Sequence, residues 1–299
     1  MPKKTTNNKN TINLVNFDFG KLSESANLLI NKLSQAGGVL YRPIHNIRMA
    51  KAEAKVKLIE STSAFEISEF ENQSLQRIVE EQTIHQINME KVVLKALTSL
   101  VETANPNDID NDWLAFFFNK ARIVSDDYMQ ELWARVLAGE ANNPGTYSKR
   151  TVSFLNNMSK YDAVLFAKVH NYSLSVNGEV LLVTRSIDWG ESNDYHQGQK
   201  NLDHLESIGL IKVSNYGEKA LAKDNGIIKV KYFSKEITIT SPAFEDEAPR
   251  NYVSILSCNV TLTRIGMELI SLSEKEFVEG FADSLSEFFE PYSVAVKDL

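Results

Sequence analysis

The sequence predicts a mainly α chain with a smaller α+β part, and three observations carry that expectation. Ile44 to Ala104 is a run of 61 residues with neither glycine nor proline, which a continuous helix would stretch to about 90 Å at ~1.5 Å per residue. Ser125 to Thr151 reads as one capped amphipathic helix, a Pro-Gly break and the start of a second helix. Further on, Ile227–Phe233 and Glu236–Thr240 alternate as paired strands. They lie between NLDHLESIGLI (Asn201–Ile211) and VTLTRIGMELISL (Val260–Leu272), two fragments in the order of a helix-and-wing domain. The expected architecture is long N-terminal helices, a central helical bundle and a C-terminal winged-helix-like domain. The divisions are a disordered leader over 1–12, a helical coiled-coil oligomerisation region over 13–104, a helical domain over 105–159 and an α+β domain over 160–299.

Taken in order, Leu22–Ala36 places Leu22, Ala26, Leu29, Ile30 and Leu33 on one helical face, and Gly37-Gly38 stops it. In the long run, Leu75, Ile78 and Val79, then Val93, Leu94, Leu97 and Val101, form apolar stripes, and Glu60–Ser63 interrupts the pattern, where a break is expected. A stripe on a helix this long needs a partner, either a second copy of the chain or a helix of its own. Asp108, Asp110 and Asp112 alternate as in a calcium loop. The sixth loop position is Trp113 rather than glycine and the twelfth is Asn119 rather than glutamate, so the acids read as helix-start charges. Trp113–Ile123 is an aromatic-rich helix. Ser125 is expected to cap the next helix, with Met129, Leu132, Trp133, Val136 and Leu137 inward and Gly139 at its end. Ser148 caps Lys149–Met158, and Lys160–Tyr172 follows as another amphipathic helix. Val180–Thr184, Leu210–Val213 and Val260–Thr263 read as strands, and Gln199–Ile208, Ile265–Ser271 and Glu274–Phe289 as helices, with a short tail after Pro291.

Composition excludes several classes. With 43% apolar and 24% charged residues the chain has the balance of a globular protein. No segment approaches the ~18 apolar residues of a membrane span. The polar start MPKKTTNNKN lacks a secretory apolar core, and a lone cysteine, Cys258, forms no internal disulfide; both fit a cytoplasmic protein. The net charge of −7 hides an asymmetry: residues 1–60 hold ten Lys/Arg against four acids, and the remainder 22 against 35. A basic leader suits phosphate, an anionic membrane surface reached through residues 1–57, or an acidic partner, or it is simply solvated.

Little in the chain points to a reaction. The five histidines show no HxxxH or HExxH spacing, and the phosphate-binding and nucleophile-elbow glycine motifs are absent, so no metal and no cofactor is expected. The loop Ile187–Gln199 gathers Asp188, Glu191, Asp194, His196 and Gln197, the one place where carboxylates could hold a catalytic metal, although surface loops are commonly this polar. For nucleic-acid contact the candidates are Lys200 and His204 on the helix at the recognition position and Lys229, Lys231 and Lys235 on the strand pair. Asp203 and Glu206 on that same helix would repel phosphate.

The block SDDYMQELWARVLAGEANNPGTYSKRTVSFLNNMSKYDA (Ser125–Ala163), preceded by YRPIHNIRMAKAEAKVKLIE (Tyr41–Glu60), resembles the bacterial family of domain of unknown function 2806 over most of residues 40–175. The succession ELWARVLAGE, SKYDA, HLESIGLI and LTRIGMEL is similar in outline to the abortive-infection alpha proteins. Neither resemblance supplies catalytic residues. They imply a bacterial intracellular protein with a role in defence against phage. The expected function is therefore a non-enzymatic interaction protein, a sensor, adaptor or scaffold that forms a homo-oligomer through residues 13–104 and binds a protein partner. The alternatives are a metal-dependent nuclease and a DNA-binding regulator.

Overall fold

A computed structural model of the chain describes residues 22–36, 69–176, 178–189, 195–214, 219–222, 227–240, 252–255, 260–289 and 293–298. The leader, the part of the long run before residue 69 with its expected break at Glu60–Ser63, and Cys258 lie outside the described residues. The chain divides into two compact units, 1–157 and 158–299.

Unit 1 holds α1 (Glu24–Ala36), α2 (Glu69–Leu97), α3 (Asn111–Ala121), α4 (Asp127–Asn142) and α5 (Lys149–Asn157), with a 3-10 turn at Pro106–Asp108. Leu29 and Leu33 of α1 are fully buried, and Ser25 Oγ–H donates to the Glu102 carbonyl at 3.0 Å. The second half of α2 is the centre of the unit: Val92, Val93, Leu94 and Ala96 are all buried, and α2 packs chiefly on α4. Lys95 ties the two helices together, its ammonium 3.0 Å from Asp127 and 3.4 Å from Glu131. Of the expected helix-start acids, Asp110 is the cap of α3 and Asp112 lies in its first turn. Asp110 accepts the Trp113 N–H at 2.7 Å, and Trp113 stacks on Phe117, whose ring lies 5.1 Å from Trp133.

Both boundaries of α4 differ from expectation. The cap of α4 is Asp126, not Ser125; its carboxylate accepts the Met129 N–H at 3.1 Å, the position at which an N-cap side chain meets an orphan amide. Gly139 does not end α4, which runs on to Asn142. A Cβ at 139 would lie 2.6 Å from the buried Tyr147 ring, so this glycine serves close approach. The turn at Pro144-Gly145 is organised by the buried Glu140 carboxylate, which accepts the Gly145 and Tyr147 N–H groups at 2.7 and 2.9 Å. The Tyr147 carbonyl in turn receives the Trp113 indole N–H at 2.7 Å.

Unit 2 opens with α6 (Lys160–Asn171), started by a capping box in which Ser159 and Asp162 exchange side-chain and backbone bonds. There follow β1 (Ser173–Val176), β2 (Glu179–Leu182), a 3-10 turn at Thr184–Ser186, α7 (Tyr195–Ser207), β3 (Ile211–Val213), β4 (Lys219–Ala222), β5 (Ile227–Tyr232), β6 (Lys235–Thr240), β7 (Tyr252–Ile255), β8 (Val260–Leu262), α8 (Arg264–Ile270), α9 (Phe281–Phe288) and β9 (Ser293–Asp298). Five strands form one antiparallel sheet in the order β2-β1-β5-β6-β9, while β3 pairs with β8 and β4 with β7. The expected pairing of β5 with β6 is present, with Ile228 opposite Ile239 and Val230 opposite Ile237. Ile228, Val230, Tyr232, Ile237 and Ile239 make the buried face; Lys229 and Lys231 point the other way.

The C-terminal helix is shorter than the periodicity of Glu274–Phe289 indicates. Residues 274–280 are not helical, and α9 starts only after Gly280, whose φ of 77° is a left-handed conformation suited to glycine. The tail is not a loose end: β9 forms an edge strand against β6, with Ile237 opposite Val296.

Candidate interaction site

The recognition-position helix α7 is turned inward by its own polar side chains. His204 Nε2 lies 2.6 Å from Asp162 Oδ1, while Asp162 Oδ2 accepts the Ser159 hydroxyl at 2.7 Å and its amide at 2.8 Å. Burial alone would raise the Asp162 pKa, but the hydrogen bonds from His204 and Ser159 outweigh it and hold the carboxyl below its ordinary range. Asn201 accepts from Gln197 Nε2 at 3.0 Å and from the Tyr161 hydroxyl at 3.4 Å. Gly198 lets the Trp189 indole lie against α7, since a Cβ there would meet Trp189 Nε1 at 2.6 Å. The structure thus joins α6 to α7 through side chains that a base-reading helix would keep for its ligand.

The other sequence candidates are dispersed. Lys200 is exposed on α7. On the sheet, Lys229 is ion-paired to Glu236 at 3.0 Å, Lys231 is exposed, and Lys235 is half-buried at the start of β6. Asp188 is exposed beyond the 3-10 turn, its N–H 3.4 Å from the Tyr172 hydroxyl. Glu191 and Asp194 lie outside the described residues, and His196 falls in α7. Among the described residues no three His, Cys, Asp or Glu side chains form a group that could hold a metal ion, and no helix is long and apolar enough to cross a membrane.

Sequence reasoning passed over a denser cluster. Tyr172, Tyr232 and Phe281 pack edge-to-face with centroids 4.8–5.1 Å apart, and Phe277 and Phe233 extend the cluster outward, their rings 5.6 Å apart. The Lys275 ammonium lies 4.6 Å from the Tyr232 centroid and 5.1 Å from that of Phe233, and it donates to the Ser173 carbonyl at 2.5 Å. Burial brings the Lys275 pKa down to about 8. Nearby, His170 Nδ1 is 2.7 Å from Ser273 Oγ; burial, and then the charge on Lys275, lower the His170 pKa to about 4. An imidazole that weak is a poor general base at neutral pH, and Ser273 also donates to the Ile270 carbonyl at 2.9 Å. This serine–histidine pair therefore reads as a link between α6 and the loop after α8. The aromatics were legible only as periodic apolar residues of an expected helix, and Phe233 as a strand end.

In unit 1 the exposed feature is the first half of α2. From Gln73 to Ile84 every residue is exposed or half-buried, and Leu75, Ile78 and Val79 are 38%, 51% and 43% exposed. They continue the face that carries Met89, Val93 and Ala96 into the core.

These features define a two-unit protein, one unit helical and the other built around an antiparallel sheet, with exposed apolar side chains on the first half of α2 and at one end of the sheet. The chain belongs to the family described as "Protein of unknown function (DUF2806)", whose model matches residues 72–286. No curated protein and no solved structure shows significant similarity to it.

Proposed function

We propose that this chain is a non-enzymatic interaction protein that assembles with copies of itself through α2 within residues 13–104 and engages a protein partner through unit 2. The observation that carries the reading is the stripe Leu75, Ile78 and Val79, three apolar side chains left in solvent on a helix whose same face is buried further on at Met89, Val93 and Ala96. A helix buries such a stripe against another helix when one is supplied. The outline shared with the abortive-infection alpha proteins supports a role in bacterial phage defence. Light scattering on the full chain is expected to give a multiple of its 33.7 kDa mass, and Leu75→Asp with Ile78→Asp is expected to return a folded monomer with the helical content of the parent. A parent protein that runs strictly as a monomer would contradict the proposal.

A second reading, a DNA-binding winged helix, is favoured by the path of the chain from α7 into β3, its antiparallel pairing with β8, and the entry of β8 into α8. The β4–β7 ladder keeps the β3–β8 register to within one residue, as the arms of a long wing would. That reading predicts duplex binding that weakens steeply with salt and falls when Lys200 and Lys231 become alanine. The engagement of His204 and Asn201 within unit 2 speaks against base readout by α7.

A further inference from the structure

Lys95 and Lys229 meet carboxylates, an arrangement that holds an amine in its charged form. Lys275 is held differently. It lies in the non-helical segment between α8 and α9, its nitrogen 4.6 Å from the Tyr232 ring centroid and 5.1 Å from that of Phe233. The Ser173 carbonyl accepts its hydrogen bond at 2.5 Å, and among the described residues no carboxylate pairs with it. Ring faces and one carbonyl offer only partial negative charge, so they displace water from the ammonium without replacing all that hydration gives it. The titratable groups facing it are His170 from α6 and Tyr232 from β5, and both are uncharged at pH 7.5: burial takes His170 down to about 4 and pushes Tyr232 up. Lys275 is nonetheless only half-buried, and Phe233 beside it is 44% exposed, so the amine is enclosed by a ring that itself faces solvent. A lysine desolvated among rings is the form in which this side chain acts as a nucleophile. With its pKa lowered from 10.5 to about 8, the amine is neutral about one-quarter of the time at pH 7.5, against about one part in a thousand. Lower basicity takes back part of that gain, and the ~0.5 slope known for thiol nucleophiles leaves about tenfold.

We propose that Lys275 is a site of covalent acylation, whose half-enclosed amine between Tyr232, Phe233 and the Ser173 carbonyl takes the activated acyl group of an acyl phosphate or an acyl thioester. The amine nitrogen attacks the acyl carbon and a C–N bond forms. The C–O or C–S bond breaks with its electron pair going to the phosphate or thiolate, and the proton shed by the nitrogen leaves with that group. The product amide is uncharged, so the contacts with Tyr232 and Phe233 that depend on the cation are lost. Its remaining N–H keeps a donor for the Ser173 carbonyl, so the modified side chain leaves no acceptor orphaned. The site is independent of the self-association proposed above.

The test incubates the full chain with acetyl phosphate or, separately, acetyl-coenzyme A, and reads the initial rate of acetylation at each lysine by peptide mass spectrometry. At pH 7.5 Lys275 is expected to react about tenfold faster than Lys200 and Lys231, exposed lysines of the same unit, and the donor that gives this preference identifies the acyl source. Its rate is expected to level off above about pH 8, while that of N-α-acetyl-lysine goes on rising. Unfolding the chain in urea is expected to abolish the preference. Phe233→Gly, which fits the φ of 52° at that position, opens one side of the amine to water. It is expected to slow Lys275 at pH 7.5 and to move the plateau to higher pH. A Lys275 no faster than Lys200 with either donor, a rate still rising beyond about pH 9, or a preference that survives unfolding would overturn the proposal. So would a Phe233→Gly chain that keeps the parent's rate and plateau, since the rings would then not set the reactivity.

Discussion

Gly266→Ala is expected to lower the stability of unit 2 by about 3 kcal/mol, from overpacking of about 1–3 kcal/mol and hydrogen bonds worth ~1 kcal/mol each, offset by about 1 kcal/mol of helix propensity. Gly266 lies in the first turn of α8, where a Cβ would overlap the Leu210 carbonyl oxygen. That oxygen accepts the Thr263 N–H at 3.0 Å, the Thr263 hydroxyl donates to the neighbouring Gly209 carbonyl at 2.6 Å, and Thr263 also caps α8 by accepting the Gly266 N–H at 3.0 Å. Because the obstacle is backbone, it cannot rotate away as a side-chain end would. The variant must move α8 off the entry to β3 and lose the joint that Thr263 makes. Hydrogen exchange on parent and variant is expected to show protection falling across residues 160–270 while α2 and α4 keep theirs. Met267→Ala, next in the helix and 57% exposed, serves as a control and is expected to stay within about 0.5 kcal/mol. A Gly266→Ala protein as stable as its parent would show that α8 and β3 are not packed this closely.

What the sequence discloses here follows from how local each determinant is. Helix existence was legible wherever periodicity and caps coincide, as in α1, α3, α5 and α6, and β5 and β6 announced themselves by alternation. The misplaced ends of α4 arise from two adjacent candidates for one cap, Ser125 and Asp126, and from a glycine present for the Tyr147 ring, not for a turn. Such a role depends on a residue eight positions away meeting it in space, which no window of sequence records. β1, β4, β7 and β9 went unread, whereas the still shorter β3 and β8 were found because each adjoins a recognisable helix. The pair β1–β2 carried a signal, the dipeptide Asn177-Gly178, with Gly178 at φ 83°. Of the candidate site, the apolar stripe on α2 was visible in the spacing of Leu75, Ile78 and Val79. The aromatic surface was not: Glu274–Phe289 has helical periodicity, but the left-handed Gly280, the hold of Ser173 and Tyr232 on Lys275, and the Glu276 and Val278 N–H groups donated to Asn171 Oδ1 and the Tyr232 hydroxyl divert residues 274–280 from it. His204 shows the converse, a residue chosen for its chemistry whose imidazole is taken by Asp162.

Glu90→Gln is expected to make unit 1 more stable at pH 8 and to leave it nearly unchanged at pH 4. Glu90 lies in α2 at 5% exposure, with Gln86 Nε2 donating to its carboxylate at 3.2 Å. Burial raises its pKa from 4.5 to about 7, against the smaller lowering effect of Gln86. A carboxyl whose folded pKa lies above its unfolded one binds its proton more tightly when folded, so the folded state is favoured at low pH and loses stability as pH rises from about 4.5 to about 7. At ~1.4 kcal/mol per pKa unit the full penalty above pH 7 is about 3 kcal/mol. Glutamine keeps the shape and a hydrogen-bonding carbonyl while removing the ionisation. Thermal melts should therefore show a gain of about 6–12 °C at pH 8, taking ~2–4 °C per kcal/mol for a unit of this size, and almost none at pH 4. A gain equal at both pH values, or none at pH 8, would mean that Glu90 ionises without cost. A buried acid that weakens its own fold at neutral pH is typical of a position kept for something other than stability. Measuring the mass of Glu90→Gln by light scattering separates the cases: if the stabilised variant no longer assembles, the ionised carboxylate in the core of α2 acts on the exposed half of the same helix.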